Sequence, residues 1–240
     1  GMSAIASVLY AMLRSGQHLI IMEDCYRMTA KFCSTLVKFG IETTLVKPGD
    51  FEALTAAVRP ETRLIFTESP TNPHLHVLDL VQLVAFAKER RLKVLIDSTL
   101  ATPINQRPLD FGVDLVIHSA TKYMGGHNDL MAGVVCGKGA LIDAIREYQR
   151  ITGSVVDPNT SYLLIRGLKT LALRVVQQND TAMKIASFLE GHNRVKKVYY
   201  PGLPSNVDHE LAKAQMRGYG GLISFEVAGD LQKTRDFVHR

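Results

Sequence analysis

The sequence predicts an α/β fold in which a mostly parallel sheet lies between helices. Three observations carry that expectation. From Ser3 to His118, short apolar runs take turns with segments of helical periodicity. The runs themselves rarely alternate polar with apolar residues, which is how strands covered on both faces read. Four of the runs also end in polar text, "MEDCY", "TESPTNP", "IDST" and "HSATK", and in such sheets ligands bind beyond the carboxyl ends of the strands.

Taken in order, the periodicity predicts a helix around Ser3–Leu13, a strand His18–Met22, a helix Thr29–Phe39 and a strand Glu42–Val46. A helix Phe51–Val58, a strand Arg63–Glu68 and a helix Leu78–Arg90 follow, and then the strands Lys93–Asp97 and Leu115–His118. Past Gly139 the pattern changes. Asp157 reads as a helix N-cap with Pro158 at the first helical position, and helical spacing then runs to about Leu189. Gly167 weakens the middle of that stretch, so one long helix or two consecutive ones both fit. "VKKVYYPGLPSN" reads as a strand entering a Pro/Gly turn, and "GGLISFEVAG" as another strand. A domain boundary is expected near residue 155, giving 1–155 as the main sheet domain and 156–240 as a connecting helix with the beginning of a second domain.

Composition narrows the function classes. With 240 residues, 46% hydrophobic and 21% charged, the chain suits a globular protein with a sizeable core, and no apolar run is long enough to span a bilayer. The opening text lacks the basic leader and cleavage pattern of a secretory signal. The cytoplasm is therefore the expected compartment, or an organelle stroma after removal of a targeting peptide. Three cysteines, Cys25, Cys33 and Cys136, show no paired metal-ligand spacing and suit a reducing compartment. The net charge is +5, but acidic residues are interspersed with the basic ones, as in "AKERRLK", and no one-sign face carries interleaved aromatics. Nucleic acid and membrane are not expected partners; small anionic molecules are.

The strand ends hold a chemistry-bearing set. A carbonyl cofactor with a phosphate and a ring nitrogen needs a lysine for a Schiff base, a carboxylate for the ring nitrogen, donors for the phosphate and a flat partner for the ring. Lys122, in the small-residue turn "HSATKY", can supply the amine, and Ser119 and Thr121 beside it can donate to a phosphate. Asp97 ends the apolar run "KVLID", where a carboxylate is costly unless a cation pairs with it. Tyr26 can offer a ring face and Asn72, in "ESPTNP", an amide. Singly, each has a plain reading: a loop lysine is ordinarily a solvated charge and a strand-end Asp a turn former. His74, His76 and the "GGHND" text lack the partner ligands of a metal site. Only the combination points to a cofactor.

Together, "DCYRMT", "ESPTNP", "VLIDSTLATPINQ", "HSATKYMGGHND", "DPNTSYLLIRGLKTLALR" and "YYPGLPSN" resemble the Cys/Met-metabolism enzymes that use pyridoxal 5′-phosphate, a group with the aspartate-aminotransferase-like fold, fold type I. The match runs nearly end to end in order and spacing. Within the group the text is most similar to plant-type cystathionine γ-synthases. The resemblance implies that Lys122 forms the Schiff base, Asp97 pairs with the ring nitrogen, Tyr26 stacks on the ring and Asn72 holds the ring hydroxyl. It further implies that Ser119 and Thr121 bind the phosphate with the backbone amides of Gly1 and Met2, which open a helix, a natural anion site. Members are longer at both ends. The neighbouring subunit's tyrosine and arginine that reach the phosphate, and the arginine that holds the substrate carboxylate, are thus expected outside these residues.

The implied reaction is γ-replacement on an activated L-homoserine ester, the thiol of cysteine displacing the leaving group to give cystathionine. Small-molecule amino-acid substrates and a homodimer or homotetramer come with it. Two alternatives stay open at this level: a cystathionine or methionine lyase of the same family, and a non-catalytic remnant acting as an interaction module through an apolar face near Leu163–Leu173.

Overall fold

A computed structural model describes residues 1–239 and contains eight strands, ten α-helices and two short 3₁₀ helices among them. The strands are β1 (His18–Met22), β2 (Glu42–Val46), β3 (Thr62–Glu68), β4 (Lys93–Asp97), β5 (Leu115–Ser119), β6 (Gly133–Gly137), β7 (Val195–Tyr199) and β8 (Ser224–Val227). The first six form one sheet in the order β2-β1-β3-β4-β5-β6, parallel throughout except for antiparallel β6. β7 and β8 pair separately as an antiparallel ribbon.

The helices are α1 (Met2–Met12), α2 (Arg27–Thr35), α3 (Phe51–Ala57), α4 (Leu80–Glu89), α5 (Thr102–Asn105), α6 (Gly139–Thr152), α7 (Pro158–Leu168), α8 (Leu171–Glu190), α9 (His209–Gln215) and α10 (Leu231–Val238). They cover the large sheet on both sides. On one side Ile5, Val8 and Leu9 of α1 and Cys33 of α2 pack on Leu19, Ile21, Leu64, Phe66 and Leu95. On the other, Leu80, Leu83, Val84 and Phe86 of α4 pack on Ile20, Ile65, Val94 and Ile96. Alternate residues of each central strand therefore feed opposite cores, so their middle positions are apolar and polar residues gather towards their ends. Asp50, Asp79 and Asp157 cap α3, α4 and α7 by accepting backbone N–H bonds at 2.8, 2.9 and 3.0 Å.

One expected helix differs in its geometry, and one open alternative is decided. The Thr29–Phe39 segment is helical from Arg27, but its last turn, Leu36–Phe39, tightens to 3₁₀ geometry before Gly40. The Pro158–Leu189 stretch is two helices, α7 and α8, interrupted at Lys169–Thr170. The reason for the break lies in the packing of Gly167, described below. Among the described residues no helix is long and apolar enough to cross a membrane.

Candidate active site at the carboxyl ends of β3, β4 and β5

The parallel register of this sheet sets the site. Glu68 of β3 lies opposite Asp97 of β4, and Asp97 lies opposite Ile117 of β5. The turns leaving these strands therefore converge on one edge.

Asp97 is buried at that edge. Thr99 donates to its Oδ1 twice, from the backbone N–H at 3.0 Å and from Oγ1 at 2.5 Å, an Asx turn closed by a hydroxyl. Oδ2 receives no hydrogen bond from the described residues. Burial pushes the Asp97 carboxyl up, against the two Thr99 bonds that hold it down. A buried carboxyl with one oxygen open calls for a cation or an N–H donor, and a protonated ring nitrogen supplies both. On this observation the residues present fit pyridoxal phosphate.

Thr99 Oγ1 also accepts the Ser119 N–H at 2.7 Å, which ties the end of β4 to the end of β5. The turn that follows is held by its own backbone: Lys122 N–H to Ser119 O at 3.1 Å, Gly125 N–H to Ala120 O at 2.8 Å and Gly126 N–H to Lys122 O at 2.7 Å. The Lys122 side chain stands exposed on this fixed turn. Thr121 faces the first residue of β6's approach: its Oγ1 accepts the Ala132 N–H at 3.1 Å, and its own N–H donates to Ala132 O at 3.3 Å. The Gly1 nitrogen donates to the same carbonyl at 3.0 Å, which sets the start of α1 beside Thr121. Met2 is the first residue of α1, where N–H groups lack helical partners. A cavity of about 740 Å³ opens here, with Gly1, Met2, Thr121 and Ala132 in its wall.

Tyr26 caps α2 at the end of the β1 turn and is 49% accessible, leaving its ring free to face a planar ligand. Its backbone N–H donates to Glu68 Oε2 at 2.8 Å. Hydrogen bonds and strand register thus run from Tyr26 through Glu68, Asp97, Thr99 and Ser119 to the Lys122 turn, and on through Thr121 to Gly1. Asn72 sits in the loop after β3, half-buried, and its side chain joins none of these bonds among the described residues.

Three contributors were not singled out from the sequence. Thr99 had a signal, since a residue two past a strand-end Asp is placed for an Asx turn. Glu68 was visible only as a polar strand end. Arg174 had none: from α8 its guanidinium donates to Tyr123 O at 2.8 Å and to Gly167 O at 2.9 Å, clamping the Lys122 turn to α7. Gly126, at φ +78°, leaves the room this guanidinium occupies.

Gly167 is the second glycine the site depends on. A Cβ there would lie 2.3 Å from Gly125 O and 2.6 Å from Met124 O. α7 can approach the Lys122 turn only because this side chain is absent, and α8 begins just beyond, at Leu171. Gly167→Ala is expected to cost about 1–3 kcal/mol in unfolding free energy through overpacking. It should also weaken cofactor binding, which a urea melt and a pyridoxal phosphate titration would check.

The cysteines take no part in this edge. Burial pushes the thiols of Cys25 and Cys33 up to about 12, which leaves them protonated and inert. Buried His118 is pushed down to about 4 by burial and is neutral.

The family model for Cys/Met metabolism PLP-dependent enzymes matches residues 1–240. Cystathionine gamma-synthase 1, chloroplastic, of Arabidopsis thaliana is 49% identical over 240 residues, 99% of this chain and 43% of that protein. A cystathionine beta-lyase of Coxiella burnetii is 40% identical over 244 residues, covering 100% of this chain and 63% of its own length. Among solved structures, metB from Corynebacterium glutamicum superposes with a TM-score of 0.95 at 35% identity, covering 98% of this chain and 62% of that one. Cystathionine gamma-lyase from Lactobacillus plantarum complexed with L-serine superposes with a TM-score of 0.91 at 43% identity, covering 95% and 60%. The chain thus spans less than two thirds of the length of these relatives. The family model spans the whole chain and the overall fold superposes, and the chain belongs to the Cys/Met metabolism PLP-dependent enzyme family.

Proposed function

We propose that this chain carries the cofactor-binding part of a pyridoxal phosphate enzyme of trans-sulfuration, whose reaction is γ-replacement on an activated L-homoserine ester by cysteine to give cystathionine. The observation that carries the reading is the single edge on which a buried, half-open carboxyl, Asp97, adjoins the fixed turn of Lys122. When bound, pyridoxal phosphate supplies a covalent anchor for the substrate amine and an electron sink for charge at its Cα.

The chain's own residues take the remaining tasks. Lys122 provides the amine that anchors the cofactor and, once freed by substrate, the base that moves protons between neighbouring substrate carbons. Its turn keeps that base in place while the side chain swings. Asp97 holds positive charge on the ring nitrogen, Tyr26 presents a ring face, and Asn72 supplies an amide for the ring hydroxyl. Ser119 and Thr121 hydroxyls, with the N–H groups of Gly1 and Met2 at the start of α1, receive the phosphate. The Gly1 nitrogen and Thr121, which share the Ala132 carbonyl, support that side as the phosphate side.

The choice of γ-replacement rests on the plant cystathionine γ-synthases among the relatives. A lyase that cleaves cystathionine or methionine is the second reading, favoured by relatives so named at 39–42% identity. Incubation of the full-length protein with an activated homoserine ester and cysteine, and separately with cystathionine, decides between them by product. A third reading, a non-catalytic interaction module, is favoured by the exposed Tyr162, Ile165, Leu168 and Leu173. A visible band upon adding pyridoxal phosphate, with the cofactor's mass fixed on Lys122 by borohydride, removes that third reading; a colourless chain supports it.

We also propose at least a homodimer, with small-molecule substrates, located in the cytoplasm or an organelle stroma. Met131 and Val155, 84% and 68% accessible, flank the cavity beside α1 and support a second chain covering it. Light scattering is expected to give a mass of two chains or more, and a single-chain mass counts against it.

A further inference from the structure

Glu68 is the one buried carboxyl of the site edge that the proposed chemistry leaves without a task. It is 4% accessible, ends β3, and faces Asp97 across the ladder. Its Oε2 accepts the Tyr26 N–H at 2.8 Å, while Oε1 receives no hydrogen bond from the described residues. On its other side the Tyr26 peptide is held by α2, whose Thr29 N–H donates to Tyr26 O at 2.7 Å. The backbone of Tyr26 is thereby gripped at both its N–H and its C=O, and the direction of its Cα–Cβ bond follows.

We propose that Glu68 is a positioning residue for the cofactor ring, acting through Tyr26: its buried carboxyl grips the Tyr26 amide and so fixes the face that the Tyr26 ring presents. The inference rests on the reading of Tyr26 as the ring-stacking residue.

The protonation state of Glu68 belongs to the same arrangement. The titratable groups facing it are Asp97 on β4 and Asp24 and Cys25 in the turn between β1 and α2, and none of them is a cation. Burial first, and the Asp97 charge second, push Glu68 up to about 8, against the Tyr26 N–H that holds it down. Burial and the neighbouring Asp97 charge thus both favour the protonated form of Glu68. With the proton on Glu68, its carbonyl oxygen still accepts from Tyr26, and Asp97 alone is left to pair with a ring cation. Once ionised, Glu68 places a second negative charge beside Asp97.

The test is the dissociation constant of pyridoxal phosphate, read from visible absorbance across a pH interval centred on about 8, together with visible circular dichroism of the bound cofactor. Glu68→Gln keeps the acceptor and is fixed in the neutral form. It should bind as the wild type does below the midpoint, keep the wild-type dichroism, and lose the pH dependence centred there. Glu68→Ala should bind about tenfold more weakly, the scale of one hydrogen bond, with altered dichroism. In a Tyr26→Ala background Glu68→Ala should add no further loss.

The inference is overturned if Glu68→Ala binds within about twofold of wild type, or if the Glu68→Ala and Tyr26→Ala losses multiply. It is also overturned if Glu68→Gln falls as far as Glu68→Ala while still melting like wild type. Should Glu68→Ala not fold, the Glu68→Gln profile decides: a profile that bends at the wild-type pH sinks the idea. A wild-type chain with no visible band would instead overturn the cofactor reading itself, and this inference with it.

Discussion

Lys122→Ala is expected to bind pyridoxal phosphate without forming any band that borohydride can erase, and its turnover should fall about 10⁴-fold or more. The reason is geometric. The turn from Ser119 to Gly126 is held by its own backbone bonds, so it survives the substitution, while the one amine it carries disappears. Among the described residues Lys122 makes no ion pair or hydrogen bond with its side chain, so folding should change by no more than about 0.5 kcal/mol, typical of an exposed site. Peptide mapping of the reduced wild type should place the cofactor's mass on Lys122. A reducible band that persisted in Lys122→Ala would mean that another amine is the anchor and that the assignment is wrong.

Asp97→Ala should retain part of the cofactor affinity and lose about 10²- to 10³-fold in rate, the cost of removing one preorganised electrostatic partner from a buried site. Asp97→Asn is the sharper variant. It keeps an acceptor for both Thr99 bonds and removes only the charge. If Asn restored the rate, charge on the ring nitrogen would not be what Asp97 provides.

The same carboxyls predict a stability signature without cofactor. Asp97 and Glu68 are both raised in the folded chain, Glu68 to about 8. Between the unfolded carboxyl range near pH 4 and the raised folded value, the native state holds more protons than the unfolded state. Stability contributed by these groups is therefore greatest at low pH and declines as pH rises towards 8. Thermal melts of the cofactor-free chain should show that decline, with a shallower slope in Asp97→Asn.

Much of this was legible in the sequence. His18–Met22 and Lys93–Asp97 were bounded correctly because each is a short, largely apolar run flanked by polar turns in a sheet covered on both faces, and Glu42–Val46, on the sheet edge, because its β-branched text lies between turns. Asp157 and Pro158 announced α7 because capping chemistry is local. β6 and α6 were not anticipated: "GVVCG" is bracketed by glycines, and its strand character depends on pairing with β5. Nor could periodicity decide how Pro158–Leu189 divides. Gly167 looked like a weak helix former, whereas its role is to let α7 approach the carbonyls of Met124 and Gly125.

The residue types of the site, their order, and the strands that carry them were determined locally, by burial pattern and turn chemistry within a few residues of each. Their convergence was not, because Tyr26, Glu68, Asp97 and Ser119 meet only through the parallel register of β3, β4 and β5 and through Thr99. The proton balance between Glu68 and Asp97 is likewise a property of the assembled sheet. Each carboxyl would be ordinary in an unfolded chain; burial at adjacent strand ends raises both.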